Sequence, residues 1–356
     1  MWNPREAYNE LAMPPTARLE TSRVLKALVE ARAALAAFNQ AAQRIPNPSI
    51  LISTIPLLEA QASSEVENIV TTTDDLFRFD AQVETDSTPA TKETLRYRSA
   101  LFAGLESIKN RPLIFATAVE ICSEILGRQM QVRDLPGTYI GETRTGLPIY
   151  TPPVGVEVIK EKLSEWERFV HGDHDLDPLV TMAAAHYYFE AIHPFTDGNG
   201  RTGRILNVLL LIEKGLLDQP ILYLSRHLIR NKAEYYDRLL AVTKEHDWEG
   251  WLVFMLDAVR ATSQESLAMI DAIEALHRSV REELRDVSAR GNADLLDLLF
   301  EQPYTRISAV MDRCEVSRPT ASKWLKEFVD TGALTQIRIG RELLFINHRY
   351  LQVLAG

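Results

Sequence analysis

The chain has 356 residues, 46% of them hydrophobic and 25% charged, values ordinary for a soluble globular protein with two or three domains and a substantial core. Its net charge of −10 argues against a general nucleic-acid binder and leaves only a local basic face open. No apolar run reaches the roughly 18 residues of a membrane span, and Met1 to Glu6 lacks the charged-then-apolar pattern of a signal peptide. The two cysteines, Cys122 and Cys314, fall far apart inside expected helices. They give no disulfide framework and suit a reducing cytoplasm.

In chain order, an arm containing Pro14-Pro15 leads to helices expected at about 20–43 and 49–70, separated by Pro46-Asn47-Pro48. The alanine-rich stretch Ala27 to Ala42 supports the first. Residues 71–90, with Thr71 to Asp75 and Asp86-Ser87-Thr88-Pro89, read as a turn-rich connection. Helices are expected over 91–109 and 113–128. Pro136-Gly137 opens an irregular region through Pro153 that suits a short hairpin with Thr145-Gly146 near its tip. A helix at about 155–171 follows. His171-Gly172-Asp173-His174-Asp175 lacks the helical pairing or cysteine partner of a metal site and reads as a solvated loop. Pro178 to Ile192 and Ile205 to Ile212 read as buried helices, and Pro220 to Leu224 as a candidate strand.

The C-terminal section changes character. It reads as helices Ala293 to Glu301, Arg306 to Cys314 and Pro319 to Asp330, then a β-ribbon from Leu334 to Ile339 and Glu342 to Ile346 around Gly340-Arg341. Ser317 is the expected N-cap of the third helix, and Gly332 closes it. Three helices and a hairpin resemble a winged helix-turn-helix domain. Arg306, Arg313, Arg318, Lys323, Lys326, Arg338, Arg341 and Arg349 face an equal number of acids: Asp294, Asp297, Glu301, Asp312, Glu315, Glu327, Asp330 and Glu342. Phosphate-dominated binding wants a basic excess. DNA binding therefore stays open beside protein docking or a homo-oligomer contact, since fold does not fix function.

Between the two central apolar helices lies His193-Pro194-Phe195-Thr196-Asp197-Gly198-Asn199-Gly200-Arg201-Thr202-Gly203-Arg204. A polar, glycine-rich loop feeding a helix N-terminus offers unpaired amides to an anion. Asn199 adds an amide, and Arg201 and Arg204 add forks suited to phosphate. Asp197 is a hard ligand for Mg²⁺ bridging phosphates. His193 is a candidate general base near neutral pH. Gly198 to Gly203 also matches G-x-G-x-x-G, but helix rather than strand leads into it, and Asp218 precedes rather than ends the next candidate strand. The context argues against a dinucleotide fold, and no P-loop sequence occurs.

These residues resemble the H-x-F-x-[DE]-G-N-G-R-x-x-R signature of Fic-domain proteins, with every fixed position filled. Ser63-Ser64-Glu65-Val66-Glu67-Asn68 is similar to the family's [ST]-x-x-x-E-[GN] inhibitory motif, placed N-terminal to the core on a helix of about 55–70. Leu224-Ser225 and Asn231 through Tyr235-Tyr236 resemble the nucleobase-side segment, and Gly146 to Pro153 the flap that holds a target peptide. Most of residues 1 to 260 falls under the resemblance.

The resemblance implies a mainly α fold: an N-terminal helical region over 1–110, a Fic core with a small hairpin flap over 111–262, a helical linker over 263–290 and the winged-helix domain over 291–356. It also implies an autoinhibited protein adenylyltransferase that moves AMP from ATP to a hydroxyl of a target protein or of itself. His193 would take the hydroxyl proton and Asp197 would hold Mg²⁺. Glu67, His193, Gly198, Asn199, Gly200, Arg201, Thr202, Gly203, Arg204 and Asn231 would bind ATP. Glu67, with Ser63 and Asn68, would inhibit by pairing with Arg204. Phe195 reads as an anchor for the loop. Hydrolytic removal of AMP, with Glu67 orienting water, and a nucleotide-sensing transcription regulator are the alternatives. The target is not legible.

Overall fold

The computed structural model describes residues 2–45, 47–80, 88–141, 146–283, 292–339 and 342–355. These residues form fifteen α-helices and five short strands. None of the described helices is long and apolar enough to cross a membrane.

Helix α1 (Ser22–Arg44) starts where the Thr21 hydroxyl accepts the Val24 amide at 3.3 Å. Its apolar stripe, Val24, Leu28, Leu35 and Phe38, is buried. Helix α2 (Ser49–Val66) is buried on nearly all sides from Thr54 to Ser64 and passes through Pro56. Helix α3 (Thr73–Asp80) corrects the expectation of a turn-rich connection. Asp74 and Asp75 favour its N-terminus, and buried Leu76 and Phe77 give it an apolar side. Asp86 and Ser87, and likewise Pro46, Thr145, Gly340 and Arg341 of the other expected turns, lie outside the described residues.

Helices α4 (Pro89–Asn110) and α5 (Phe115–Leu126) pack together, and α5 ends on left-handed Gly127. Strands β1 (Ile140–Gly141) and β2 (Pro148–Tyr150) pair antiparallel, Ile140 opposite Tyr150, as a minimal hairpin. Helix α6 (Val156–His171) covers α7 (Pro178–Ile192), which packs on α8 (Asn199–Glu213) at the centre of the core. Thirteen of the fifteen α7 residues are buried, the pattern of an interior helix. No strand forms at Pro220 to Leu224: residues 220–223 are irregular and α9 (Leu224–Arg230) begins at Leu224. Their apolar side chains fill the core from a loop, with Ile221 and Leu222 buried. Helix α10 (Lys232–Glu245) follows.

Helix α11 (Trp248–Glu283) runs unbroken for 36 residues, about 54 Å at 1.5 Å per residue, along α1. The boundary expected at 262/263 falls in its middle, so the described part of the linker belongs to this helix. The C-terminal unit contains α12 (Ala293–Glu301), β3 (Tyr304–Arg306), α13 (Ile307–Cys314), α14 (Arg318–Asp330), β4 (Thr335–Ile339), β5 (Glu342–Ile346) and α15 (His348–Ala355). Strand β3 and helix α15 are additions to the expected elements. The sheet order is β3-β5-β4, antiparallel throughout. This unit is tied to the rest of the chain. Asn47 Nδ2 donates to Glu301 at 2.7 Å, Arg349 Nη1 to Glu283 at 2.8 Å, and the Tyr304 hydroxyl to Asp74.

Candidate active site

The α7–α8 loop is closed by its own side chains. Asn199 Oδ1 accepts the Phe195 amide at 2.8 Å, and its Nδ2 donates to the Phe195 carbonyl at 2.9 Å. This reciprocal pair directs the Asn199 side chain inward. Phe195 is fully buried, stacked on Phe115 at 5.7 Å between centroids. Phe195→Ala should therefore cost about 3–5 kcal/mol, read as a lowered denaturant midpoint. A loss under about 1 kcal/mol would contradict the anchor.

Gly198 caps α8 at φ +79°, a conformation that favours glycine. The first amides of α8 beyond it have no partner within the helix. Asp197 Oδ1 accepts the Gly198 amide at 2.6 Å, and the side chain is 61% exposed. Among the described residues no group of three or more His, Cys, Asp or Glu is arranged to hold a metal ion. A lone exposed carboxylate fits Mg²⁺ that keeps waters and takes phosphate oxygens, not a metal caged by protein.

Both arginines are buried and held. Arg201 pairs with Glu93 of α4 and lies 3.6 Å from Asp197 Oδ1. Arg204, 1% exposed, is gripped from α2: its Nε donates to Ser63 Oγ at 2.8 Å, its Nη2 to the Ser63 carbonyl at 2.9 Å and to Glu67 Oε1 at 2.8 Å. Gly200 makes that approach feasible, since a Cβ there would overlap Glu67 Oε1 and sit 2.9 Å from Arg204 Nη1. Glu67 is the C-cap of α2 and Asn68 the left-handed residue after it, anchored by Lys232 Nζ at 2.8 Å.

Glu67, His193, Gly200 and Arg204 line one cavity of about 180 Å³. Its walls are apolar and aromatic: Ile140 and Ile149 of the hairpin, Tyr150, Tyr187, Ala191, and Tyr235, Tyr236, Leu239 and Leu240 of α10. Thr243, whose hydroxyl meets that of Tyr187 at 2.9 Å, completes it with Glu190. Asn231 is not brought there; its amide donates to the His227 carbonyl at 3.0 Å between α9 and α10. Thr202 is buried within α8, and Gly203 faces Glu190 and His186 across the α7–α8 seam.

The electrostatics follow the burial. His193 is pushed down to about 4 by burial and then by the Arg133 charge, against the opposing pull of Glu67 and Asp197. It is therefore a neutral ring at ordinary pH, and a weaker base than the expected near-neutral histidine. Burial raises the Glu67 carboxyl, but the Arg204 charge and hydrogen bond, with Arg201 and His193, outweigh it and hold the group below the usual carboxylate range. Burial lifts Glu190 to about 8 despite Arg204.

The Fic/DOC family profile matches residues 117–211, the Fic/DOC family N-terminal profile residues 25–106, and the C-terminal domain of protein adenylyltransferase SoFic-like residues 272–350. The chain belongs to the Fic family. Its Fic core carries the cavity, while α2, which supplies Ser63 and Glu67, lies in the matched N-terminal segment. Curated relatives include protein adenylyltransferase fic-1 of Caenorhabditis elegans, 37% identical over 89 residues, covering 24% of this chain and 16% of the relative. Protein adenylyltransferase Fic of Culex quinquefasciatus is 30% identical over 156 residues, covering 43% and 29%. The match thus spans under a third of either relative. A Fic family protein from Desulfovibrio desulfuricans G20 shares the fold at TM-score 0.56 and 18% identity, covering 94% of this chain and 98% of its own. C. elegans Fic-1 does so at 0.53 and 20%, covering 70% and 73%.

Several residues of the Fic site were not legible beforehand. Glu190 carried a weak signal, a lone acid in the apolar run from Met182 to Ile192. Arg133, Glu93 and Thr243 carried none, because each reaches the site from an element distant in sequence.

Proposed function

We propose that this site transfers AMP from ATP to a hydroxyl side chain of a protein, and that α2 holds it in an inhibited state. The observation that carries the reading is the convergence of His193, the α8 N-terminus and Arg204 on one aromatic-walled cavity. The aromatic and aliphatic walls suit a nucleobase, and the α8 amides and Arg204 suit phosphates. Asp197 would hold Mg²⁺, which supplies charge neutralisation to the phosphates when bound. The target oxygen attacks the α-phosphorus, the bond from that phosphorus to the β-phosphate bridge breaks, and pyrophosphate leaves. His193 takes the hydroxyl proton as the bond forms. Catalysis rests on positioning and preorganised charge. Incubation with α-labelled ATP tests this, alone and with candidate target proteins. Label retained on protein supports it, and label on neither target nor chain, even when Glu67 is replaced, overturns it.

Inhibition follows from the same contacts. A guanidinium committed to Ser63 and Glu67 is withheld from a γ-phosphate, so ATP would lie with its α-phosphorus off line. Because Glu67 is held ionised beside the cavity, it could also orient water for hydrolytic removal of AMP. Loss of label from a premodified target, abolished by Glu67→Gln, tests that second reading.

We assign the C-terminal unit as a winged helix-turn-helix used for protein docking. Arg318, Lys323, Lys326 and Arg338 are exposed, but the unit carries no basic excess. The full chain should bind duplex DNA no more tightly than the roughly 10⁻⁴–10⁻⁶ M of non-specific association at physiological salt. Fluorescence anisotropy across a salt series checks this. A much tighter, steeply salt-dependent complex would make it a DNA reader.

A further inference from the structure

His193 occupies an unusual backbone position. It is the C-cap of α7, at φ +48° and ψ +59°, a left-handed conformation that costs a non-glycine residue about 1–3 kcal/mol unless its surroundings impose it. The four successive carbonyls that bracket it are all taken. The Ala191 carbonyl accepts the Tyr150 hydroxyl at 2.7 Å, and the other three are served by one residue, Arg133. Its Nη2 donates to Ile192 O at 3.3 Å, its Nε to His193 O at 2.7 Å, and its backbone amide to Pro194 O at 2.9 Å. The same Nη2 reaches Pro153 O at 2.6 Å, the segment leading out of the β2 hairpin. Arg133 is 3% exposed.

We propose that Arg133 is a positioning residue for His193: its guanidinium clamps the strained end of α7 to the hairpin segment and thereby sets the direction of the imidazole in the cavity. A helix C-terminus exposes carbonyls that welcome a cation, and the planar fork satisfies two of them together with Pro153 O, which a lysine ammonium cannot do in one geometry. The charge has a second consequence. The groups that bear on the His193 ring are Arg133 on one side, and Glu67 of α2, Asp197 of the loop and the Glu190 carbonyl of α7 on the other. Arg133 is the cation of that set and favours the neutral ring.

The inference rests on His193 acting as the base, so its test needs a readout independent of turnover. Arg133→Met removes the fork and the charge; Arg133→Lys keeps the charge and removes the fork. In the full chain, Arg133→Met should lower kcat for AMP transfer on the order of 10²-fold, as expected for a misplacement of about 1 Å, with KM for ATP changed by less than about two-fold. The acid limb of its pH–rate profile should move to higher pH. Arg133→Lys should lose kcat with the acid limb unmoved. The His193 ring titration, followed by NMR and assigned with His193→Ala, should rise in Arg133→Met alone. If the titration rises while neither parent nor variant transfers AMP, the adenylyltransferase reading fails and the placement of the Arg133 charge against the His193 ring stands. If the parent transfers AMP and both variants match it in kcat and titration, differing only in melting temperature, the proposal is overturned. Should Arg133→Met not fold, Arg133→Lys decides through kcat alone.

Discussion

His193→Ala should lower AMP transfer by at least about 10²-fold while ATP binding and folding stay near those of the parent. The ring sits at the end of α7, and the loop beyond it is held by Asn199, Phe195 and Arg133 rather than by the imidazole. Removing the ring therefore takes away the proton acceptor without removing a support. Its low pKa adds a second expectation. Only the neutral ring accepts a proton, and burial with Arg133 depresses its pKa to about 4. Activity should accordingly be flat through neutral and mildly acidic pH and fall as pH drops toward that value. Label incorporation measured over a pH series reads both effects. Unchanged incorporation in His193→Ala would sink the mechanism.

Glu67→Gly should do the opposite, raising transfer by up to on the order of 10²-fold if an α-phosphorus misplaced by about 1 Å returns to line. The carboxylate pairs directly with Arg204, and its removal leaves the guanidinium bonded to Ser63 and open to a phosphate. Because Glu67 is the C-cap rather than an interior helical residue, glycine should cost α2 no more than about 1 kcal/mol. Losing the ion pair still lowers the melting temperature. A variant at once less stable and faster separates inhibition from a purely structural role, since a structural carboxylate would lose on both counts. Parent and variant assayed side by side with Mg²⁺ and ATP decide it; a variant no faster than the parent makes Glu67 a packing residue.

Much of the core was legible because its signals are local. Apolar runs set α7 and α8, Gly198 announces the turn between them, and the density of Asp, Asn and Arg between two buried helices marks a site. Direction was not legible. Asn199 looked like a phosphate donor, yet its amide faces back to Phe195, a choice made by loop closure. Asn231 was placed at the nucleotide by likeness of segment, whereas its side chain closes the α9–α10 junction. The strand expected at Pro220 to Leu224 failed because apolar residues in a short run report burial and not backbone conformation. Helix α3 was hidden because its turn residues also serve as helix N-terminal residues. Arg133 could not be found at all: its partners lie 20 and about 60 positions away, brought near only when the hairpin folds over α7.

Helix α11 sets how the molecule can transmit a load. It lies along α1 for much of its length and near its far end meets the C-terminal unit, His277 standing 3.5 Å from Asp297 and Glu283 gripping Arg349. A ladder of backbone hydrogen bonds without proline or glycine past Gly250 has no built-in joint. The C-terminal unit is then held at three points, by this stiff helix, by Asn47 and by Asp74, so its bearing to the cavity is set by construction.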